Sequence, residues 1–138
     1  MKTHAHAYGF GATLDVAFDG AVERVRAELA KQGFGVLTEI DVAATLKSKL
    51  GVDFRRYVIL GACNPVLAHQ ALSAEREIGL LLPCNVIVYE DETPNRSVVS
   101  IMDPQAALAL AGNDAVAGLA ADVRDRLQQV INGLENAV

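Results

Sequence analysis

The sequence predicts an α+β domain in which a mainly antiparallel sheet packs against helices, and three observations carry that expectation. Apolar residues recur at helical spacing in Phe18, Val22, Val25 and Leu29, and again in Val116, Leu119, Val123, Leu127, Val130 and Leu134, so each segment presents one apolar stripe. Between these stripes lie β-branched runs such as Tyr57 to Ala62. Asp91-Glu92-Thr93-Pro94-Asn95 forms a turn joining two of the runs, which makes a hairpin and breaks the strict βαβ alternation of a doubly wound fold. All 138 residues, 1–138, are expected to form one domain with the order β-α-β-(α)-β-α-β-β-α-α.

Taken in order, the Gly-rich stretch from Thr3 to Asp15 reads as a first strand carrying Tyr8, Phe10 and Leu14. The Phe18 stripe follows as a helix closed by Gly33, a residue free to take positive φ beyond a helix end. Phe34 to Ile40 reads as a second strand, after which Asp41 caps a short helix bearing Val42, Leu46 and Leu50 and ended by Gly51. Tyr57 to Ala62 is continuously apolar and is expected to be buried on both faces. Asn64-Pro65 starts a helix to about Ser73, because Asn accepts free backbone N–H groups and proline at the first position loses no donor. Leu80 to Glu90 is a strand interrupted or begun at Pro83, and Arg96 to Ile101 is its hairpin partner. Asp103-Pro104 starts a short helix ending at Gly112, and a last helix spans about Asp114 to Leu134.

Composition narrows the function. With 51% apolar residues the chain can form its own core, and a net charge of −5 with no basic stripe opposes nucleic-acid binding. Arg55-Arg56 is the one local basic spot and reads as a solvated strand start. Met1 to His6 is not followed by the apolar run of a signal peptide, and no stretch reaches the length of a membrane span. A cytoplasmic location is therefore expected, in which two cysteines remain free thiols.

Those cysteines are the most informative candidates. Cys63 precedes the Asn64 cap, where the positive end of the following helix favours a thiolate, although free cysteine is also a common small core residue. Cys84 follows Pro83 at the start of the next strand. Parallel strands would hold the two about 17–20 Å apart. Antiparallel strands bring both to one end of the sheet, with a site formed by Cys63, Asn64, Cys84 and Asn85. Two thiols are too few for a structural zinc, and the 20-residue gap is no CxxC motif. His4 and His6 share one face of the first strand and His69 lies on the helix after Cys63; each is expected to be exposed and uninvolved. Asp41 and Asp103 have capping roles, and Gly9-Phe10-Gly11 lacks the third glycine of a dinucleotide signature.

The blocks Gly33-Phe34-Gly35-Val36-Leu37 with Ile40-Asp41, Ile59-Leu60-Gly61-Ala62-Cys63-Asn64-Pro65, Leu80-Leu81-Leu82-Pro83-Cys84-Asn85-Val86 and Asp103-Pro104 resemble the bacterial and archaeal family catalogued as domain of unknown function 302. The resemblance implies a fold similar to the TATA-binding-protein-like class and a homodimer, and it singles out Cys63, Asn64, Pro65, Pro83, Cys84 and Asn85. It implies no known substrate, cofactor, metal or catalytic residue. Three functions remain open: a small-ligand or partner-binding domain at Cys63/Cys84, thiol redox, sulfur-transfer or soft-metal handling by the pair, and a purely structural homodimer.

Overall fold

A computed structural model describes residues 1–136; residues 137–138, the end of the expected domain, lie outside the described residues. Six strands form one sheet: β1 (Lys2–His6), β2 (Gly9–Leu14), β3 (Gly35–Asp41), β4 (Tyr57–Cys63), β5 (Cys84–Glu90) and β6 (Ser97–Met102). Their order is β1-β2-β6-β5-β4-β3, and every neighbouring pair is antiparallel. Five helices accompany them: α1 (Phe18–Lys31), α2 (Val42–Leu50), α3 (Pro65–Ala74), α4 (Pro104–Leu108) and α5 (Asp114–Asn136). The α+β expectation holds.

Local chemistry sets the helix ends. Asp41 Oδ1 accepts from the Ala44 amide at 2.9 Å, Asn64 Oδ1 from Leu67 at 3.2 Å and Asp103 Oδ1 from Gln105 at 2.9 Å, each satisfying an amide that lacks an intrahelical partner. Gly51 closes α2 with φ of 68°, a left-handed conformation that a residue with a Cβ rarely adopts.

The core lies on one face of the sheet. Val58, Leu60, Ala62, Cys84, Val86, Val88, Val99 and Ile101 meet Val25 and Leu29 of α1 and Leu127, Val130 and Ile131 of α5 in one buried cluster. Each large side chain removed from water here contributes roughly 1.5–3 kcal/mol before the cost of ordering it. A smaller cluster of Ile78, Ala71, Leu108, Val116 and Ala120 joins α3 and α4 to the start of α5.

Three expectations change. The first strand is a hairpin, β1 and β2, turning at Ala7–Tyr8. The strand expected at Leu80–Glu90, interrupted or begun at Pro83, takes the second form and is shortened: Arg76–Leu81 forms a 3-10 turn and β5 starts at Cys84. The β4 strand is buried on one face alone: Val58, Leu60 and Ala62 point into the core, whereas Tyr57 and Ile59 are only half-buried on the other side. Among the described residues no helix is long and apolar enough to cross a membrane.

Candidate functional site

The expected antiparallel pairing of β4 and β5 is present and brings the two cysteine blocks to one end of the sheet. It does not unite the thiols. Cys84 is the cross-strand partner of Ala62, so both side chains project toward the helices; Cys63, the next residue of β4, falls on the alternate side with Ile59 and Gly61. Both cysteines are free and the two are not near each other, which corrects the expectation of a shared thiol site. Cys84 is also chemically quiet: burial, with a further contribution from Cys63, pushes its thiol up to about 11, so little thiolate exists near neutral pH.

What the end of the sheet does hold is an apolar cleft of about 280 Å³. It is lined by Phe34, by Leu67 and Ala68 of α3, by Leu82 and Pro83, and by Val123 of α5. Cys63, Asn64, Pro83 and Cys84 border this cleft. Pro65 does not; it is exposed in the first turn of α3. Asn85 is exposed and lines a different cavity on the opposite face of the sheet. Four of the six residues expected from the sequence therefore line one cleft, its two cysteines apart from each other, and two do not line it.

Glycines explain how backbone and side chains approach so closely here. A Cβ on Gly61 would lie 2.8 Å from Cγ of Pro83, so the absence of a side chain lets the proline ring settle on β4. Gly33, with φ of 82°, would place a Cβ 2.9 Å from Asn64 Nδ2. Asn64 is thus hemmed in, nearly buried, and committed through Oδ1 to the Leu67 amide. No hydrogen bond among the described residues uses its Nδ2. Asn64 is the one polar side chain of the cleft apart from the cysteines, which leaves an amide donor at the edge of an otherwise apolar surface.

The opposite face of the sheet carries the residues that sequence reasoning set aside. His4, expected to be uninvolved, is hydrogen-bonded through Nε2 to Ser100 Oγ at 2.7 Å. The His6 ring packs against Tyr8 at 4.2 Å between centroids, and Tyr57 stacks on Tyr89 at 5.3 Å with an interplanar angle of 7°. Burial, then the neighbouring His6, lowers the His4 pKa; burial, then Tyr89 and Tyr8, raises that of Tyr57. Both are consequently neutral near pH 7. Among the described residues no three or more His, Cys, Asp or Glu side chains are grouped to hold a metal.

Arg56, expected to be merely solvated, ion-pairs with Asp19 at 2.6 Å and lies over the Phe18 ring at 4.3 Å. Its partners are internal, and it presents no cationic footprint.

Residues 10–134 match the family described as Domain of unknown function DUF302. The chain is also similar to a solved structure described as an uncharacterized conserved protein DUF302 from Bacillus stearothermophilus, at 28% identity and a TM-score of 0.83. That similarity covers 91% of this chain and 97% of the other. No curated protein matches the sequence.

Proposed function

The chain belongs to the DUF302 family, and from that premise we propose that it binds a small, uncharged, largely apolar molecule in the cleft beside Asn64. The carrying observation is the chemistry of the wall: an apolar cavity of about 280 Å³ with one amide side chain at its edge. Ligand sites combine apolar surface with a few placed polar groups in this way, and the volume suits a short chain or a single ring. The Asn64 amide would donate to one acceptor on such a molecule while its carbonyl stays in the cap. A cytoplasmic setting suits the two free thiols.

The probe is 2-octanone, an apolar tail with one carbonyl acceptor, titrated while amide resonances are followed by NMR. Saturable shifts are expected at Leu67, Ala68 and Cys84. Ala68→Phe fills the cleft and is expected to weaken binding at least about tenfold. Unchanged affinity in that variant, or no shifts around the cleft, would sink the proposal.

We also infer that the chain forms a homodimer through β3 and α2. The supporting observation is that α2 has no buried residue, although a nine-residue helix depends on tertiary packing for its stability. Leu37 is 68% exposed and Leu50 69% exposed on this limb, with Ile40 and Phe54 about half exposed. β3 is an edge strand with free pairing groups that carries Val36, Leu37 and Ile40 beside Thr38, Glu39 and Asp41, whereas the other edge, β1, carries Lys2, His4 and His6. A second copy meeting β3 and α2 would cover both orphan elements in one symmetric contact. Light scattering is expected to give twice the chain mass, and Leu37→Glu with Leu50→Glu to give a folded monomer. A monomeric wild-type chain would refute this inference.

A further inference from the structure

The open face of the sheet contains a second cavity, of about 590 Å³, lined by residues of five strands, β1, β2, β4, β5 and β6. Strand register shows how it is built. His4 pairs across β1–β2 with Gly11, Gly11 pairs across β2–β6 with Ser100, and Ser100 pairs with Ile87 of β5. His6 pairs with Gly9, which pairs with Met102. On this face β2 therefore offers Gly9 and Gly11 where other strands offer side chains. The two histidines lie over that bare strip: His4 reaches across Gly11 to Ser100, and a Cβ on Gly9 would lie 2.9 Å from Cε1 of His6.

The same cavity collects the phenol side chains of the molecule. The chain has three tyrosines and no tryptophan, and Tyr8, Tyr57 and Tyr89 all line it. Two of the three histidines are there as well. None of the 17 acidic residues lines it, so no carboxylate opposes an electron-rich guest. Asn85, His6 and Ser100 supply side-chain hydrogen-bonding groups on this face, and Ile87 supplies an apolar surface between them.

We propose that this cavity is a binding site for a planar aromatic molecule carrying a carboxylate, with Tyr89 offering the ring face and His6, Ser100 and Asn85 the hydrogen-bonding groups. One face of Tyr89 is taken up by Tyr57 on the β4 side; on the β6 side its cross-strand partner is Val98, with Ser100, the partner of Ile87, two residues further along. A planar ring is the guest that stacks best on a tyrosine face. A carboxylate accepts hydrogen bonds at both oxygens, which suits a cavity lined by hydrogen-bonding side chains from β1, β6 and β5 and by no competing acid. The site is on the opposite side of the sheet from the apolar cleft and stands independently of it.

The test uses 2-naphthoate as probe, with cyclohexanecarboxylate and naphthalene methanol as partial analogues, followed by aromatic and amide NMR. Saturable shifts are expected at Tyr57, Tyr89, His4 and His6. The non-planar acid and the neutral alcohol are each expected to bind at least about fivefold more weakly than 2-naphthoate. Tyr89→Leu, checked for folding by its amide spectrum, is expected to lose about tenfold in affinity, and His6→Ala several-fold for the carboxylate but not for the alcohol. Equal binding of the two acids, or affinity for 2-naphthoate unchanged in both variants, would overturn the site. So would shifts confined to Leu67 and Ala68, which would assign the probe to the other cleft.

Discussion

Along β4 and β5 both faces of the sheet carry large apolar or aromatic side chains, and the two faces have opposite fates. On the helix-covered face Val58, Leu60, Val86, Val88, Val99 and Ile101 are all buried. On the other, Tyr57, Ile59, Ile87 and Tyr89 are left half-buried. Antiparallel sheets usually show a clean apolar-in, polar-out alternation when one face meets water. Here the outer face keeps apolar and aromatic side chains that the core does not use. Glycine divides along the same line: Gly9, Gly11, Gly35 and Gly61 all occupy positions on the open face. A core face needs volume at every position, whereas the open face has gaps where the His6 ring lies against Gly9 and where Thr38 and Pro83 lie against Gly61; a Cβ on Gly11 would instead meet the Val99 carbonyl, and one on Gly35 would meet nothing.

The comparison can be broken first by paired truncations on β4. Leu60→Ala removes a fully buried side chain and is expected to cost about 2–5 kcal/mol in denaturant unfolding. Ile59→Ala, one residue away on the half-buried face, is expected to cost about 1 kcal/mol. Equal costs would mean that the open face is packed in solution as tightly as the core. A smaller effect concerns pH. Because the folded state raises the Cys84 thiol from 9.0 to about 11, its proton contributes stability that is fully present below pH 9 and is lost as pH rises toward 11. At pH 8 the thiolate fraction of Cys84 is expected to be about a hundredfold lower in the native chain than in denaturant. Labelling rates with a small maleimide check this, and a native rate matching the denatured one would place Cys84 outside the core.

Sequence alone disclosed the parts of the fold that are decided within a few residues. The caps at Asp41, Asn64 and Asp103, the stop at Gly51 and the hairpin turn near Pro94 each have a local mechanism, and each is present. The N-terminal hairpin has no such local signal, because Ala7–Tyr8 turns without glycine, proline or asparagine. The separation of the two thiols follows from strand alternation, which depends on where β4 and β5 register and not on how near their ends lie. Continuous apolarity in Tyr57 to Ala62 concealed that alternation, since both faces of the strand are apolar. The open-face cavity needs β1, β2, β6, β5 and β4 brought side by side, and no single window of sequence contains them. One signal was available: His4-x-His6 set against Gly9-x-Gly11 across a two-residue turn.

The placement of the tyrosines has an optical consequence. With no tryptophan in the chain and all three phenols on one face of the sheet, near-ultraviolet absorbance and tyrosine emission report on that face and leave the helical side spectrally silent. A change in tyrosine signal during titration or assembly therefore announces an event on the open side, whereas a molecule settling beside Asn64 would leave the spectrum largely unmoved.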